Sequence, residues 1–203
     1  MASAASDPFP DQAKIVIAGG FGAGKTTLVG SISEIRPLTT EEVITTASTG
    51  IDDLDGVEGK TTTTVALDFG RRTIPEQNLV LYLFGTPGQD RFWFMWDDLC
   101  RGTLGAVVLA DTRRLEHCFA AVEFFENRRL PFVVAINQFD DAYRYDAADV
   151  RAALRLSAEV PLLLCDARDR QSVKRLLIDL VQYVIQRRAA AARNHSDLTR
   201  SPL

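Results

Sequence analysis

Cysteine, histidine and tryptophan are scarce in this chain: three, two and two among 203 residues. Cys100, Cys118 and Cys165 are widely spaced, odd in number and free of any CxxC pair, so neither a disulfide framework nor a cysteine-rich zinc site is expected. An excess of positive charge is also missing. A net charge of -4 and a pI near 5.2 leave no basic footprint for a polynucleotide, so no nucleic-acid partner is expected. No apolar run approaches the roughly 20 residues of a membrane-spanning helix. The first residues lack the basic and apolar regions of a signal peptide, the last three, Ser201-Pro202-Leu203, hold no prenylation cysteine, and the start offers no glycine for myristoylation. These absences lead to the expectation of a cytoplasmic protein with no integral membrane segment. Peripheral contact at the inner face of the membrane stays open through Arg187, Arg188 and Arg193, which also read as ordinary cations at a helix end.

What is present is enough apolar material for one core. With 46% hydrophobic and 25% charged residues, the length fits a single globular domain, expected over 12–186 and flanked by a disordered segment at 1–11 and a flexible tail at 187–203. Short apolar runs alternate with stretches of helical period, the pattern of an α/β domain with a mostly parallel sheet. Six strands are expected at 14–18, 64–69, 79–84, 106–110, 132–136 and 162–164. Only 64–69 alternates, through Val65, Leu67 and Phe69, as an edge strand does. Apolar stripes mark helices around Leu28, Val29, Ile32 and Ile35, around Leu115, Cys118, Phe119, Val122 and Phe125, around Val150 and Leu154, and from Val173 to Ile185. Residues 37–63, rich in Thr, Asp and Gly, read as an unusually long loop of the functional kind. Within it Asp52, Asp53 and Asp55 lack the register of a calcium loop.

The strongest motif is Gly19-Gly20-Phe21-Gly22-Ala23-Gly24-Lys25-Thr26, which fits G-x-x-x-x-G-K-[ST] between an apolar strand and a helical pattern. Glycines let backbone N–H groups wrap a phosphate chain, and the helix that follows presents its positive dipole end to the anion. Lys25 then neutralises the β and γ phosphates, and Thr26 offers its hydroxyl to Mg²⁺. Gly85-Thr86-Pro87-Gly88-Gln89 follows the third strand. Read functionally, Gly88 gives an N–H to the γ phosphate and Gln89 orients a water; read blandly, it is a Pro-Gly turn. Asn137-Gln138-Phe139-Asp140 ends the fifth strand, where ligands of open α/β sheets bind. Asp140 there is either a polar loop residue or the acceptor of paired hydrogen bonds from guanine, which adenine does not offer. Asp166-Ala167-Arg168 follows the last strand and brings a backbone N–H at Ala167 toward a guanine carbonyl.

In order and spacing these motifs resemble the Ras-like small GTPases over roughly 14–185. More narrowly, 19–27, the run KTTTTVALDFG at 60–70 and LFGTPGQDRFWFMWDD at 83–98 are similar to the GTPases of actinomycete conservon operons, and through them to the bacterial polarity and gliding-motility GTPases. The resemblance implies a Ras-like P-loop NTPase fold: a six-stranded, mostly parallel sheet with one antiparallel edge strand and five helices on both faces. It implies Thr27 in the nucleotide-binding set, Thr64 as a second Mg²⁺-directed threonine, Gln89 as the catalytic glutamine, and a roadblock-type regulatory partner. The chain departs from the wider Ras pattern at Gly85, where an Asp usually holds Mg²⁺ through water, and at Gln138, where a Lys usually lies along the guanine ring. Weaker metal affinity and looser base specificity are the corresponding expectations.

Together these readings predict a GTP/GDP-binding switch that hydrolyses GTP slowly, with Lys25 and Gln89 as catalytic residues. The alternatives are a GTP-binding module without hydrolysis and a P-loop phosphotransferase, the latter lacking any clustered Asp, Arg or His to activate an acceptor. Arg91, Arg113 and Arg114 are the candidates for an arginine finger in cis. Two segments, the Thr-rich stretch ending at Thr64 and 85–99, are the expected switches. In the second, Phe92, Trp93, Phe94, Met95 and Trp96 form either an effector surface or packed core.

Overall fold

The computed structural model describes residues 10–45, 62–88 and 94–198, with the side chains at 39–45, 62–66 and 194–198 excepted. Among these residues seven strands form one sheet: β1 (Asp11–Gly19), β2 (Leu38–Thr45), β3 (Thr62–Ile74), β4 (Leu79–Gly85), β5 (Gly105–Ala110), β6 (Phe132–Asn137) and β7 (Leu162–Cys165). Their spatial order is β2-β3-β4-β1-β5-β6-β7. From β4 to β7 all neighbours run parallel, whereas β3 is antiparallel to β4 and β2 is antiparallel to β3. All six expected strands are present, and the fold class stands.

The seventh strand corrects two expectations. β2 falls inside the stretch read as a long loop, and it pairs with β3 from Leu38 opposite Phe69 to Thr45 opposite Thr62. The strand that alternates is therefore covered on that side, and β2 forms the edge instead. LTTEEVIT carries little apolar pattern of its own. Its backbone groups are satisfied by a partner already ordered against β4, a tertiary cause that no local window contains.

Five helices flank the sheet among the described residues: α1 (Lys25–Ile32), α2 (Trp96–Cys100), α3 (Phe119–Asn127), α4 (Ala147–Ala153) and α5 (Arg170–Leu198). α1 and α5 cover one face, where Leu28, Val29, Val173, Leu176, Leu180 and Val184 pack on Ile15, Ile17, Val107 and Leu109. α2, α3 and α4 cover the other, where Trp96, Val122, Phe125 and Val150 pack on Val16, Val108, Val134 and Ile136. Every residue of β5 and β6 is buried, which explains why those two strands read as unbroken apolar runs. α5 continues through Arg187 to Leu198, beyond its apolar stripe and into the stretch expected as a tail. The run Ala189 to Ala192 supplies helix propensity where burial no longer does.

Trp96 resolves the aromatic segment in part. It is buried, meets Phe124 edge-on at 5.1 Å and stacks near Phe125 at 6.1 Å, so it belongs to the core, while Phe94 is exposed. Phe92 and Trp93 lie outside the described residues.

The order of the strands positions the site. β1 has β4 on one side and β5 on the other, so the chain changes direction around it and a crevice opens at the carboxyl ends of these strands. The segments after β1, β4, β6 and β7 all end there.

Candidate functional site

At the carboxyl end of β1 the backbone turns through Gly22 at φ +75° and Gly24 at φ +102°, conformations that glycine adopts without a Cβ penalty. Gly24 serves a second need, since a side chain there would strike the Asn137 amide. α1 begins immediately at Lys25 with Gly24 as its cap, so the first-turn N–H groups face the same concavity. The Lys25 side chain folds back over the loop, and Nζ donates to Gly19 O at 2.8 Å and Gly20 O at 2.7 Å. Burial pulls its pKa down from the ordinary lysine value to about 8, with Asp68 working in the opposite direction. A buried ammonium hydrogen-bonded to two neutral carbonyls is a group that an incoming anion would stabilise.

Thr26 points to the neighbouring strand. Its Oγ1 donates to Asp68 Oδ2 at 2.6 Å. Asp68 lies on β3 directly opposite Gly85 of β4, and a side chain added at Gly85 would begin 3.0 Å from the Asp68 carboxylate. The carboxylate that position 85 lacks thus stands on the adjacent strand, and the space it takes explains the glycine. In the sequence Asp68 is one residue of the run KTTTTVALDFG at 60–70. Its opposition to Gly85 becomes visible once the antiparallel register is set. A hydroxyl and a carboxylate together at the mouth of the loop are hard oxygen donors of the kind Mg²⁺ takes, so the residues fit that ion. Thr64 falls within β3, opposite Val43 of β2. Its side chain lies outside the described residues.

Gly88 closes on the loop from β4. A Cβ there would sit 2.8 Å from Lys25 Nζ and from the Phe21 backbone, so only glycine lets this segment approach. Gln89 and Arg91 lie outside the described residues. Of the remaining arginine candidates, Arg113 is committed elsewhere. It grips Asp111 and Asp141 and stacks on Phe139 with 3.8 Å to the ring centroid. Arg114 instead brings Nη2 within 3.0 Å of where a side chain on Gly22 would start.

Asn137 joins the two ends of the crevice. Nδ2 donates to Ala23 O at 2.9 Å, and Oδ1 accepts from Ala167 N at 3.0 Å, both in buried surroundings. The Ala167 N–H expected for a base carbonyl is therefore spent within the protein. Gln138 is half-buried and its N–H donates to Cys165 O at 2.8 Å. Asp140 is exposed and receives two bonds from Arg168, Nη1 to Oδ2 at 2.7 Å and Nη2 to Oδ1 at 3.0 Å. Arg168 also binds Asp166 through Nε and Nη2. Its guanidinium holds both carboxyl groups below the usual range. Thr27 is exposed in the first turn of α1. The structure thus brings together the glycine loop, Lys25, Thr26, Gly88, Asn137, Ala167 and, at the rim, Gln138, Asp140, Asp166 and Arg168.

The three cysteines are buried and free. Burial raises Cys100 to about 11 and Cys118 to about 12, so neither is a thiolate nucleophile near neutral pH. Among the described residues no helix is long and apolar enough to cross a membrane.

Known proteins share this fold. In shape the chain is similar to the G domain of the T. maritima FeoB iron transporter, with a TM-score of 0.58 at 17% identity, covering 85% of this chain and 98% of that one. It is similar also to the FeoB G-domain from Methanococcus jannaschii, with a TM-score of 0.57 at 13% identity over 86% and 98% of the two chains. At such identities the likeness concerns the fold. In sequence it is 31% identical to an uncharacterized protein of Methanocaldococcus jannaschii over 132 residues, 64% of this chain and 72% of that protein. The family model described as "Conserved hypothetical ATP binding protein" matches residues 17–187, from the last residues of β1 through most of α5. The fold is that of a G domain with a phosphate loop after its first strand, and the chain belongs to the family described as conserved hypothetical ATP-binding proteins.

Proposed function

We propose that this protein is a guanine-nucleotide switch of the conservon type that binds GTP or GDP with Mg²⁺ and hydrolyses GTP slowly. The observation that carries the reading is the pair of hydrogen bonds by which Asn137 joins Ala23 and Ala167. It ties the phosphate loop to the loop after β7, and Asp140 follows three residues after Asn137 at the same edge of the sheet.

In this reading the loop amides and Lys25 hold the β and γ phosphates, and their charges spread the negative charge that develops on the transferred group. Bound Mg²⁺ would neutralise the same oxygens, with Thr26 and Asp68 as its nearest protein groups and Thr64 from β3. Gln89 aligns the attacking water. Gly88 offers its N–H to the γ phosphate, coupling the segment after β4 to the nucleotide state. Arg114, beside Gly22, is the described arginine candidate placed to reach the phosphate chain. A roadblock-type partner and other effectors would read the switch segments, and exposed Phe94 is an aromatic group available to them.

The test is identification of nucleotide carried by the purified protein, followed by phosphate release from GTP by wild type and Gln89→Leu. Guanine nucleotide in the site, slow release by wild type and at least tenfold slower release by the variant are expected. Adenine nucleotide alone, or equal rates in the two proteins with and without a partner, would remove the switch reading.

A further inference from the structure

We propose that Arg168 sets the base preference of this site by competing with the nucleotide for Asp140. The inference rests on the nucleotide-binding reading above and adds to it a specificity-determining residue.

The guanidinium presents two parallel N–H groups to the two carboxylate oxygens, at 2.7 Å and 3.0 Å. Guanine addresses a carboxylate in the same way, through its ring N1–H and its exocyclic amine. Adenine cannot, because its N1 is an acceptor. Arg168 is thus a side-chain counterpart of the guanine edge, already seated on the residue that would recognise it.

The surroundings make the seat exchangeable. Both partners are largely exposed, with side chains 54% and 84% accessible, so water and salt weaken the pair. Arg168 keeps a second anchor when it leaves, since Nε and Nη2 also donate to Asp166 at 3.0 Å and 2.9 Å. Displacement from Asp140 therefore costs one ion pair and leaves the other in place.

The consequence for selectivity runs opposite to a simple lock. A guanine nucleotide must break the Arg168–Asp140 pair before it gains Asp140. An adenine nucleotide leaves the pair intact, and the neutralised carboxylate then does not repel the lone pair on adenine N1. Arg168 therefore taxes guanine and shields adenine, narrowing the difference between them. Gln138 in place of a lysine adds no compensating charge on the ring.

The measurement is calorimetric titration of the full chain with GDP and with ADP, each with Mg²⁺, for wild type, Arg168→Ala and Arg168→Lys, at low and high salt. Arg168→Ala is expected to bind GDP about two- to fivefold more tightly than wild type, the range an exposed ion pair commands. ADP affinity should stay level or fall, Arg168→Lys should lie between, and added salt should shrink the gap. Unchanged or weaker GDP binding by Arg168→Ala would overturn the inference, since the guanidinium would then be a contact of the base. Equal tightening of GDP and ADP would overturn it too, as mere unblocking of the crevice. Failure of every protein to bind either nucleotide sinks the nucleotide-binding reading itself and this inference with it, whereas binding with the wrong variant pattern sinks the inference alone.

Discussion

The two ends of the crevice are built from different materials. At the phosphate end the backbone carries the geometry: positive-φ glycines, the first turn of α1, and a buried lysine held by Gly19 and Gly20. At the base end side chains carry it, through exposed Asp140 and Arg168 and half-buried Asp166. The first kind of site is rigid and specific for charge, because main-chain N–H groups cannot rearrange without breaking the loop. The second is adjustable, because exposed ion pairs are weak and can be exchanged.

The sharpest way to break this contrast is Lys25→Ala. Removing the ammonium deletes charge-assisted bonds worth about 1.5–3 kcal/mol each, so GTP and ATP affinity should fall together by about a hundredfold or more. Calorimetry with both nucleotides reads it, and a loss confined to one of them would mean that base and phosphate ends are not separable. Next comes Asn137→Ala, which strands Ala23 O and the Ala167 N–H in buried surroundings. A loss of about 2 kcal/mol in unfolding free energy is expected from denaturant melts. An unchanged midpoint would show the two ends to be independently stable.

A smaller effect follows from the titration of Lys25. Its pKa is lowered to about 8 in the free protein, and a phosphate beside it raises that value, so binding takes up a proton once the solution is above pH 8. Affinity should therefore be full below pH 8 and decline above it, by about tenfold at pH 9. Titrations at pH 7, 8 and 9 check the slope, which Lys25→Ala should flatten. A flat wild-type profile would mean that the ammonium is already stabilised without the ligand.

Much of the phosphate end was legible from residue order alone. The loop motif is contiguous, its glycines declare their own backbone, and the flanking strand and helix announce themselves by apolar period. The strands buried on both faces were equally plain. Three features escaped. β2 carries too little apolar pattern to be seen without its partner. Asp68 and Thr26 are 42 positions apart, and Arg168 and Asp140 are 28 apart, so their contacts follow from strand register and loop placement. Trp96 could be surface or core on composition, and only its packing against Phe124 and Phe125 decides.

Local order by itself determined that this chain folds as an α/β domain with a phosphate loop after its first strand, since both follow from interactions within a few residues. Only the tertiary structure decided which carboxylate faces Thr26, which arginine sits on Asp140 and where the sheet ends. Those outcomes depend on strands and loops far apart in the chain, meeting with a particular register, and no nearest-neighbour preference encodes that meeting.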